Sequence, residues 1–491
     1  MSQQQLADSV SAQFQTNPPR ELPGRRNAEL LLLGFAAVIV TLALVIVEAN
    51  QEQELTLTIL WLGLAYLAIL TAAHLAVRRW APNADPVILP CVALLNGIGL
   101  VMIHRLDLAY EDHATEADDK FSPAVPSQLL FTVISLVLFV AVLIVVNDHR
   151  TLTRYGYTAG LIGIVALILP ALLPASISEA NGAKVWIRLP GFSIQPGEFA
   201  KILLIIFFAS FLVSKRDLFM VAGKKIVGVE LPRARDLGPL LIAAIVCMGV
   251  FAFEKELGAA LLLFGIILVM IYVATERAIW VIVGLSFFAV GCVIAYNLFS
   301  HVRVRVENWI DPFADIDNKG YQMVQSLFGL GTGGIGGTGL GAGRPDIVPE
   351  ANTDFITAGI GEELGFIGLA AVLMLYLLIA MRGMRNALAV RDTFGKLLGC
   401  GLAFTIVMQI FVVVGGVTKL IPETGITAPF LSKGGSSLLA NYILVALLLR
   451  ISDAARKPAA RPKPQQPQAP LAEAHTVMVQ RPPVAGDGRA Q

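Results

Sequence analysis

The residues best suited to chemistry are the acids of Val348-Pro-Glu-Ala-Asn-Thr-Asp354-Phe355 and the two carboxylates that follow in an apolar segment, Glu362 and Glu363. Carboxylates at or below a membrane surface are costly unless chemistry or transport uses them. Counted in helical steps, Gly361, Glu362 and Gly365 fall near the face of Asp354. The acid is then expected to head a stripe of small residues, with a second acid about two turns deeper. Asp is also a favoured helix N-cap, so the spacing leaves both a general base and a cap open.

A second charged group is Glu198 with Lys201, three residues apart at the start of an expected helix and therefore on one face. Acids favour helix N-termini, so the pair reads either as a helix-entry ion pair or as the wall of a charged cleft. Lys184, Arg188, Arg344 and Lys433 are expected on the same side of the membrane, and converging cations are what a pyrophosphate ligand requires. Between Gly329 and Gly343 there are nine glycines, and Gly331-Thr-Gly-Gly-Ile-Gly336 matches G-x-G-x-x-G. No strand precedes it and no Gly-Lys-Ser/Thr follows, so a nucleotide loop is rejected. The expectation is a flexible or tightly turned loop whose backbone approaches a bulky headgroup. Thr427-Ala-Pro-Phe-Leu-Ser-Lys-Gly-Gly-Ser-Ser437 should interrupt a helix, which at membrane depth is tolerated beside protein or a wet cavity.

These groups need a scaffold, and composition says which kind. With 56% hydrophobic residues over 491 and a mean hydropathy of +0.70, the chain is too apolar for an ordinary soluble protein. Segments of about 20 apolar residues can cross a bilayer. About twelve fit that length, beginning near Leu30, Leu55, Pro86, Gln128, Gly156, Glu198, Leu237, Leu257, Ala278, Phe355, Leu397 and Ser437. The fold class is an all-α polytopic membrane protein. Arg78-Arg79, Lys215-Arg216, Lys224-Lys225 and Arg382 fall in short loops on one side. The acids from Glu48 to Glu54 and from Asp107 to Asp119 fall on the other. Basic loops stay in the cytoplasm, so both termini are expected inside and Asp354 at the outer face. The net charge of +1 gives no reason to expect a nucleic-acid partner.

Cys91, Cys247, Cys292 and Cys400 lie in apolar segments and are expected as small packing residues, not disulfides. The chain divides into a polar cytoplasmic tail (1–27), two N-terminal crossings (28–85), a ten-helix core (86–453) and a tail (454–491). That last tail carries seven prolines from Lys457 onward, and this composition cannot bury a core. Within the core, the loop of about 300–353 is long enough to be functional or mobile.

Six blocks in this order resemble the SEDS (shape, elongation, division and sporulation) family, whose branches include RodA, FtsW and SpoVE. They are Asn181-Gly-Ala-Lys-Val-Trp186-Ile, Gln195-Pro-Gly-Glu198-Phe-Ala-Lys201, Gly320-Tyr-Gln322-Met-Val-Gln325-Ser, Pro349-Glu-Ala-Asn-Thr-Asp354-Phe-Ile, Gly361-Glu-Glu-Leu-Gly-Phe-Ile-Gly368 and Gly434-Gly-Ser-Ser-Leu-Leu. The resemblance spans roughly Pro86 to Asp453, and the first two crossings look like an actinobacterial addition. Ser436-Ser-Leu-Leu-Ala-Asn-Tyr442 is similar to the ending of the RodA branch. There are departures: the usual Pro-Asp-Leu-Gly is Lys255-Glu256-Leu-Gly258, Gly197 replaces a Ser, and Lys433 replaces a Tyr.

The resemblance implies a peptidoglycan glycosyltransferase of the plasma membrane. It would polymerise lipid II for elongation and cell shape beside a class B penicillin-binding transpeptidase, with Asp354 at the catalytic position. Lys201, Glu198, Arg188, Lys184, Lys433, Trp186, Gln325 and Glu362 are the candidate substrate contacts. No soluble cofactor is implied, although a divalent cation (Mg2+ or Mn2+) is one way to neutralise a departing pyrophosphate. Acids at membrane depth and broken helices serve transport equally well. A lipid II flippase, an FtsW-like division role and a noncatalytic scaffold therefore remain as rival readings.

Overall fold

Helices are the natural outcome for this sequence, because backbone polar groups inside a bilayer must be satisfied within the segment. The computed structural model describes residues 25–53, 57–117, 122–180, 183–189, 192–215, 225–226, 229–230, 249 and 256–457. Its principal helices are α1 (Arg25–Asn50), α2 (Leu57–Trp80), α3 (Ile88–Ala117), α4 (Val125–Val145), α5 (Gly156–Leu172), α6 (Pro196–Ser214) and α7 (Leu257–Thr275). They continue as α8 (Ile279–Leu298), α9 (Ser300–Ile310), α10 (Tyr321–Gly333), α11 (Ile356–Glu363), α12 (Gly365–Ala389), α13 (Thr393–Val417) and α14 (Gly435–Arg456).

Among the described residues, ten helices are long and apolar enough to cross a membrane, and α5 is a shorter apolar helix. These account for eleven of the dozen expected crossings. The crossing placed near Leu237 lies outside the described residues, as do Cys247 and the terminal stretches up to Gly24 and beyond Lys457. The core is made by α3, α6, α13 and α14, the most buried spans, while α8 has no buried residue at all.

Polar side chains set the ends of the bundle. At one end Asp85 is fully buried and meets Arg456, Arg382 at 3.7 Å and the Asn386 amide at 3.3 Å, while its own N–H donates to Ser452 at 2.9 Å. This ties the start of α3 to α12 and α14. At the other end Asp107 accepts the N–H groups of Ala124 and Val125 at 2.7 and 2.8 Å. A carboxylate there satisfies free donors at the N-terminus of α4. Of the described cysteines, Cys91 and Cys400 are buried free thiols as expected, whereas Cys292 is exposed on α8.

One expectation is corrected. The crossing expected to begin near Phe355 is two helices: α11 ends at Glu363, and Gly365 turns the chain with φ +66° before α12 starts across. The stripe below Asp354 is therefore broken, because the helical register does not continue through Gly365. The long loop of about 300–353 carries α9, α10 and two 3-10 turns, at Pro312–Asp315 and Pro345–Ile347.

The glycine tract is tightly turned, but its backbone approaches the protein itself. A Cβ on Gly333 would lie 2.1 Å from the Gly361 carbonyl, and one on Gly365 would lie 2.2 Å from the Gly337 nitrogen. The tract is closed by hydrogen bonds from the Thr338 and Gly339 N–H groups to the Glu362 and Glu363 carbonyls, at 3.0 and 2.9 Å.

Gly365 combines a positive φ with this close approach, so any side chain is strained there whatever the local space. Gly365→Ala is expected to lower the melting temperature in detergent by several degrees or prevent folding. Gly34→Ala in α1, where nothing lies within 4 Å, should hold or raise it, since Ala is the better helix former. Scanning fluorimetry of both variants checks the contrast.

Candidate active site

A cavity of about 810 Å3 opens between α4, α5, α6 and α7 on one side and α9, the turn before α11 and the segment before α14 on the other. Two antiparallel hairpins form part of its wall: β1 (Glu179–Ala180) with β2 (Ala183–Lys184), and β3 (Ile187–Leu189) with β4 (Phe192–Ile194). Its charged lining is mixed, with Glu198, Glu256, Glu350 and Asp354 facing Arg188, Lys201, Arg305 and Lys433.

Asp354 is held by a turn in which Thr353 and Phe355 donate N–H bonds to the Glu350 carbonyl at 3.0 and 3.3 Å. Phe355 anchors the turn in an apolar cluster with Leu106, Val348, Ala351, Ala358 and Val417. The helix that follows begins after Phe355 and has no side-chain cap, so Asp354 does not serve as its N-cap. Its Oδ1 instead accepts the Thr353 hydroxyl at 2.6 Å.

A Cβ on Gly425 would lie 3.7 Å from Arg305 Nη2 and 3.8 Å from Asp354 Oδ2, so cation and acid flank that glycine. Burial pushes the Asp354 carboxyl above the usual aspartate range and Glu350 adds to the rise, while Thr353 and Arg305 oppose it. A raised carboxylate is a stronger base, which suits accepting a proton.

Glu198 and Lys201 do form the cleft wall, and both are buried, at 7% and 5% exposed. Their ion pair measures 2.7 Å, and Lys201 Nζ also donates to Gln409 at 3.2 Å. Gln409 in turn donates to the Thr427 carbonyl at 2.9 Å. The pair is therefore not a loose interfacial bridge: removing one partner of a buried pair costs about 3–5 kcal/mol.

Trp186, Arg188 and Lys433 also line the cavity. Arg188 is exposed on β3, and the Lys433 N–H fixes its segment by donating to the Asn352 carbonyl at 2.7 Å. Four expected residues lie elsewhere. Lys184 sits in β2, paired in register with Glu179, between Ala183 and Val185, which do line the wall. Gln325 lies in α10, away from the cavity. Glu362 is buried and accepts the Arg344 N–H at 2.8 Å, so it secures the glycine tract. Arg344 itself is exposed and pairs with Asp346 at 3.1 Å.

Sequence reasoning missed Arg305 and did not place Glu256 in the site. Arg305 stands in Arg303-Val-Arg305 on an amphipathic helix that reads as a solvated face, yet its Nη1 donates to the Thr424 carbonyl at 3.2 Å at the cavity. Glu256 accepts from the Gln195 amide at 3.4 Å, and its signal was the departure Lys255-Glu256-Leu-Gly258. Among the described residues, no three of His, Cys, Asp and Glu converge to hold a metal ion.

Burial pushes the Glu256 carboxyl from 4.5 up to about 7; Glu198 and Asp354 add to the rise, and Arg305 and Lys201 oppose it. The folded state then binds a proton that the unfolded state releases, so stability is lost as pH rises from about 4.5 to about 7. Glu256→Gln removes that titration. The fall in melting temperature across this window should be shallower in the variant than in the parent, as thermal melts at half-unit pH steps would show.

The family model for cell cycle proteins of the FtsW, RodA and SpoVE type matches residues 86–457, beginning just after α2. Peptidoglycan glycosyltransferase RodA of Mycobacterium tuberculosis H37Rv is 56% identical over 476 residues, covering 97% of this chain and all of the relative. Among solved structures, a variant of Thermus thermophilus rod shape determining protein RodA superposes with a TM-score of 0.52 at 21% identity, over 76% of this chain and 99% of that one. A chain from a peptidoglycan synthase complex that coordinates polymerization and crosslinking superposes with a TM-score of 0.51 at 24% identity, over 80% and 97%. These two share the fold. With a family model covering most of its length and a near-complete relative at 56% identity, the chain belongs to the FtsW, RodA and SpoVE family and is a peptidoglycan glycosyltransferase.

Proposed function

We propose that this protein polymerises lipid II at the outer face of the plasma membrane, with Asp354 as the general base. The observation that carries the reading is the cavity itself: a carboxyl raised by burial stands across Gly425 from Arg305, with Lys201, Arg188 and Lys433 on the surrounding walls. The GlcNAc 4-hydroxyl of an incoming lipid II attacks C1 of the MurNAc at the end of a lipid-linked glycan. Its proton passes to Asp354, the new β1,4 bond forms, and the C1–O bond to undecaprenyl pyrophosphate breaks. An α-linked donor becoming a β product is inverted at C1, so one displacement and one base suffice. The cations stabilise the departing pyrophosphate, which carries more charge in the transition state than in the ground state.

The lipid tails of both substrates are membrane-bound, so the sugars must be worked on at the bilayer surface. The basic short loops support a cytoplasmic position for both termini. A class B penicillin-binding transpeptidase is the proposed partner, supported by the likeness in fold to a chain of a polymerising and crosslinking complex, and the role in elongation by the RodA relatives.

Asp354→Asn preserves size but cannot accept a proton. Purified protein given lipid II in detergent should lose glycan polymer by at least about a hundredfold, since a positioned base contributes about 10²–10⁴. Detergent offers no compartments, so polymer from the parent also separates the enzyme from a flippase. A folded Asp354→Asn variant working at the parental rate would remove the base. Because Glu198 and Lys201 are buried together, the pair is best tested as Glu198→Gln with Lys201→Met. That double variant leaves no lone buried charge and should remain folded while polymerising poorly.

Orientation is tested by labelling in a chain lacking its four native cysteines. Asp317→Cys, exposed near α10, should react with an impermeant maleimide from outside intact cells. Arg391→Cys, exposed between α12 and α13, should react only after lysis. The opposite pattern would place Asp354 on the wrong side for this reaction.

A further inference from the structure

Both N-terminal helices, α1 and α2, precede residues 86–457, which the family model matches, yet the end of α1 reaches the support of the active site. It meets the glycine tract at three points. The Asn50 amide donates to the Leu340 carbonyl at 2.5 Å, and the Gln51 amide donates to the Gly341 carbonyl. Gly341 itself has a φ of +80°, and a Cβ there would lie 3.0 Å from Asn50 Cβ and 3.1 Å from the Val47 carbonyl oxygen. The tract is therefore seated directly on α1, and glycine is the residue that allows both that backbone and that approach.

Gly341 is held from two sides. Its carbonyl is bound by Gln51, while its N–H donates to Glu363 at 3.1 Å, at the end of α11. Two consecutive residues of α3 make the same division: His104 meets Glu48 of α1 at 2.9 Å, and Arg105 meets Glu363 at 3.0 Å. Glu48, His104, Arg105, Glu363, Gly341 and Gln51 thus close a ring through α1, α3, α11 and the tract. Breaking the link at Gln51 opens the ring and leaves the tract held from the side of α3 and α11.

We propose that Asn50 and Gln51 are positioning residues for glycosyl transfer: by holding the tract against α1 they fix the end of α11, and with it the place of Asp354 in the cavity. Asp354 lies two residues before α11, whose eight residues span about 12 Å, so a displacement at Glu363 is carried along one short helix to the acid. Neither amide lines the cavity, so both act through the tract. The proposal rests on the reading of Asp354 as the base.

The test uses the full chain in detergent and the variant Asn50→Leu with Gln51→Met, which keeps side-chain size and removes both donors where Asn50 is exposed and Gln51 half-buried. Hydrogen exchange in the tract and in α11 should quicken severalfold. The kcat for lipid II consumption should fall about ten- to a hundredfold, since misplacing a reacting group by about 1 Å costs on the order of 10². KM should stay at the parental value, because the loss is confined to the transition state. Asn50→Leu with Gln51→Lys returns one donor to the Gly341 carbonyl and should recover most of the rate. Arg26→Gln loosens the opposite end of α1, where Arg26 donates to the carbonyls of Ala81, Pro82 and Ala84 at 2.8, 2.9 and 2.8 Å; it should lower the melting temperature and leave kcat unchanged. Gln51→Met alone carries the test if the paired variant does not fold. A parental kcat in the folded variant would overturn the proposal, and so would an equal loss of kcat in Arg26→Gln, because the amides would then only stabilise α1. Full activity of Asp354→Asn beside a loss of kcat and quickened exchange in the paired variant would place the fault in the choice of base and support the hold of α1 on the tract.

Discussion

Arg105 is 2% exposed in the middle of the most buried helix, and its guanidinium meets Glu363 at 3.0 Å and the Gly343 carbonyl at 2.7 Å. A charge at that depth is held only by a partner of opposite sign, and here the partner lies at the end of the short helix that follows Asp354. Glu363 also accepts the Gly341 N–H at 3.1 Å. One buried pair thus fixes three things together: α3, the end of α11 and the return of the glycine tract. The height at which Asp354 enters the cavity follows from that junction, because the chain between Asp354 and Glu363 is a single short helix, and its other buried acid, Glu362, holds the same glycine tract through the Arg344 N–H.

Neutral amides extend the same support around the site. Gln128 on α4 donates to the Ser432 carbonyl and accepts the Gly434 N–H, both at 3.3 Å. Gln409 on α13 joins Lys201 to the Thr427 carbonyl. Gln195 receives its fixed place from the Ser436 hydroxyl, which accepts its N–H at 2.9 Å, and reaches Glu256 with its side chain. An amide both donates and accepts, so it can satisfy irregular backbone at membrane depth without adding a charge that would need its own partner. The non-helical segment before α14 is tolerated for this reason, and it carries Lys433 and Gly434 to the cavity wall.

The crossing helices were legible from apolar length, since nothing else satisfies a backbone inside a bilayer, whereas the short helices α9, α10 and α11 were not. Asp354, Glu198, Lys201, Arg188, Trp186 and Lys433 were also legible, because charged and aromatic residues beside apolar segments stand out against their surroundings. The structure brings these six to one cavity. It does not bring Lys184, Gln325 or Glu362, and it adds Arg305 and Glu256. Local pattern could not make those distinctions: Arg305 has the neighbours of a surface residue, and Glu362 those of a ligand.

Sequence by itself determined that this protein crosses the membrane many times and which acid heads its most unusual segment, because hydropathy and charge are properties of consecutive residues. Tertiary structure decided that the segment breaks at Gly365, that the glycine tract folds onto its own chain, and that Glu198 and Lys201 are a buried pair. Those outcomes depend on how closely two backbones approach and which charges meet across helices. Residues such as Arg105 and Glu363, 258 positions apart, become neighbours only when the bundle closes.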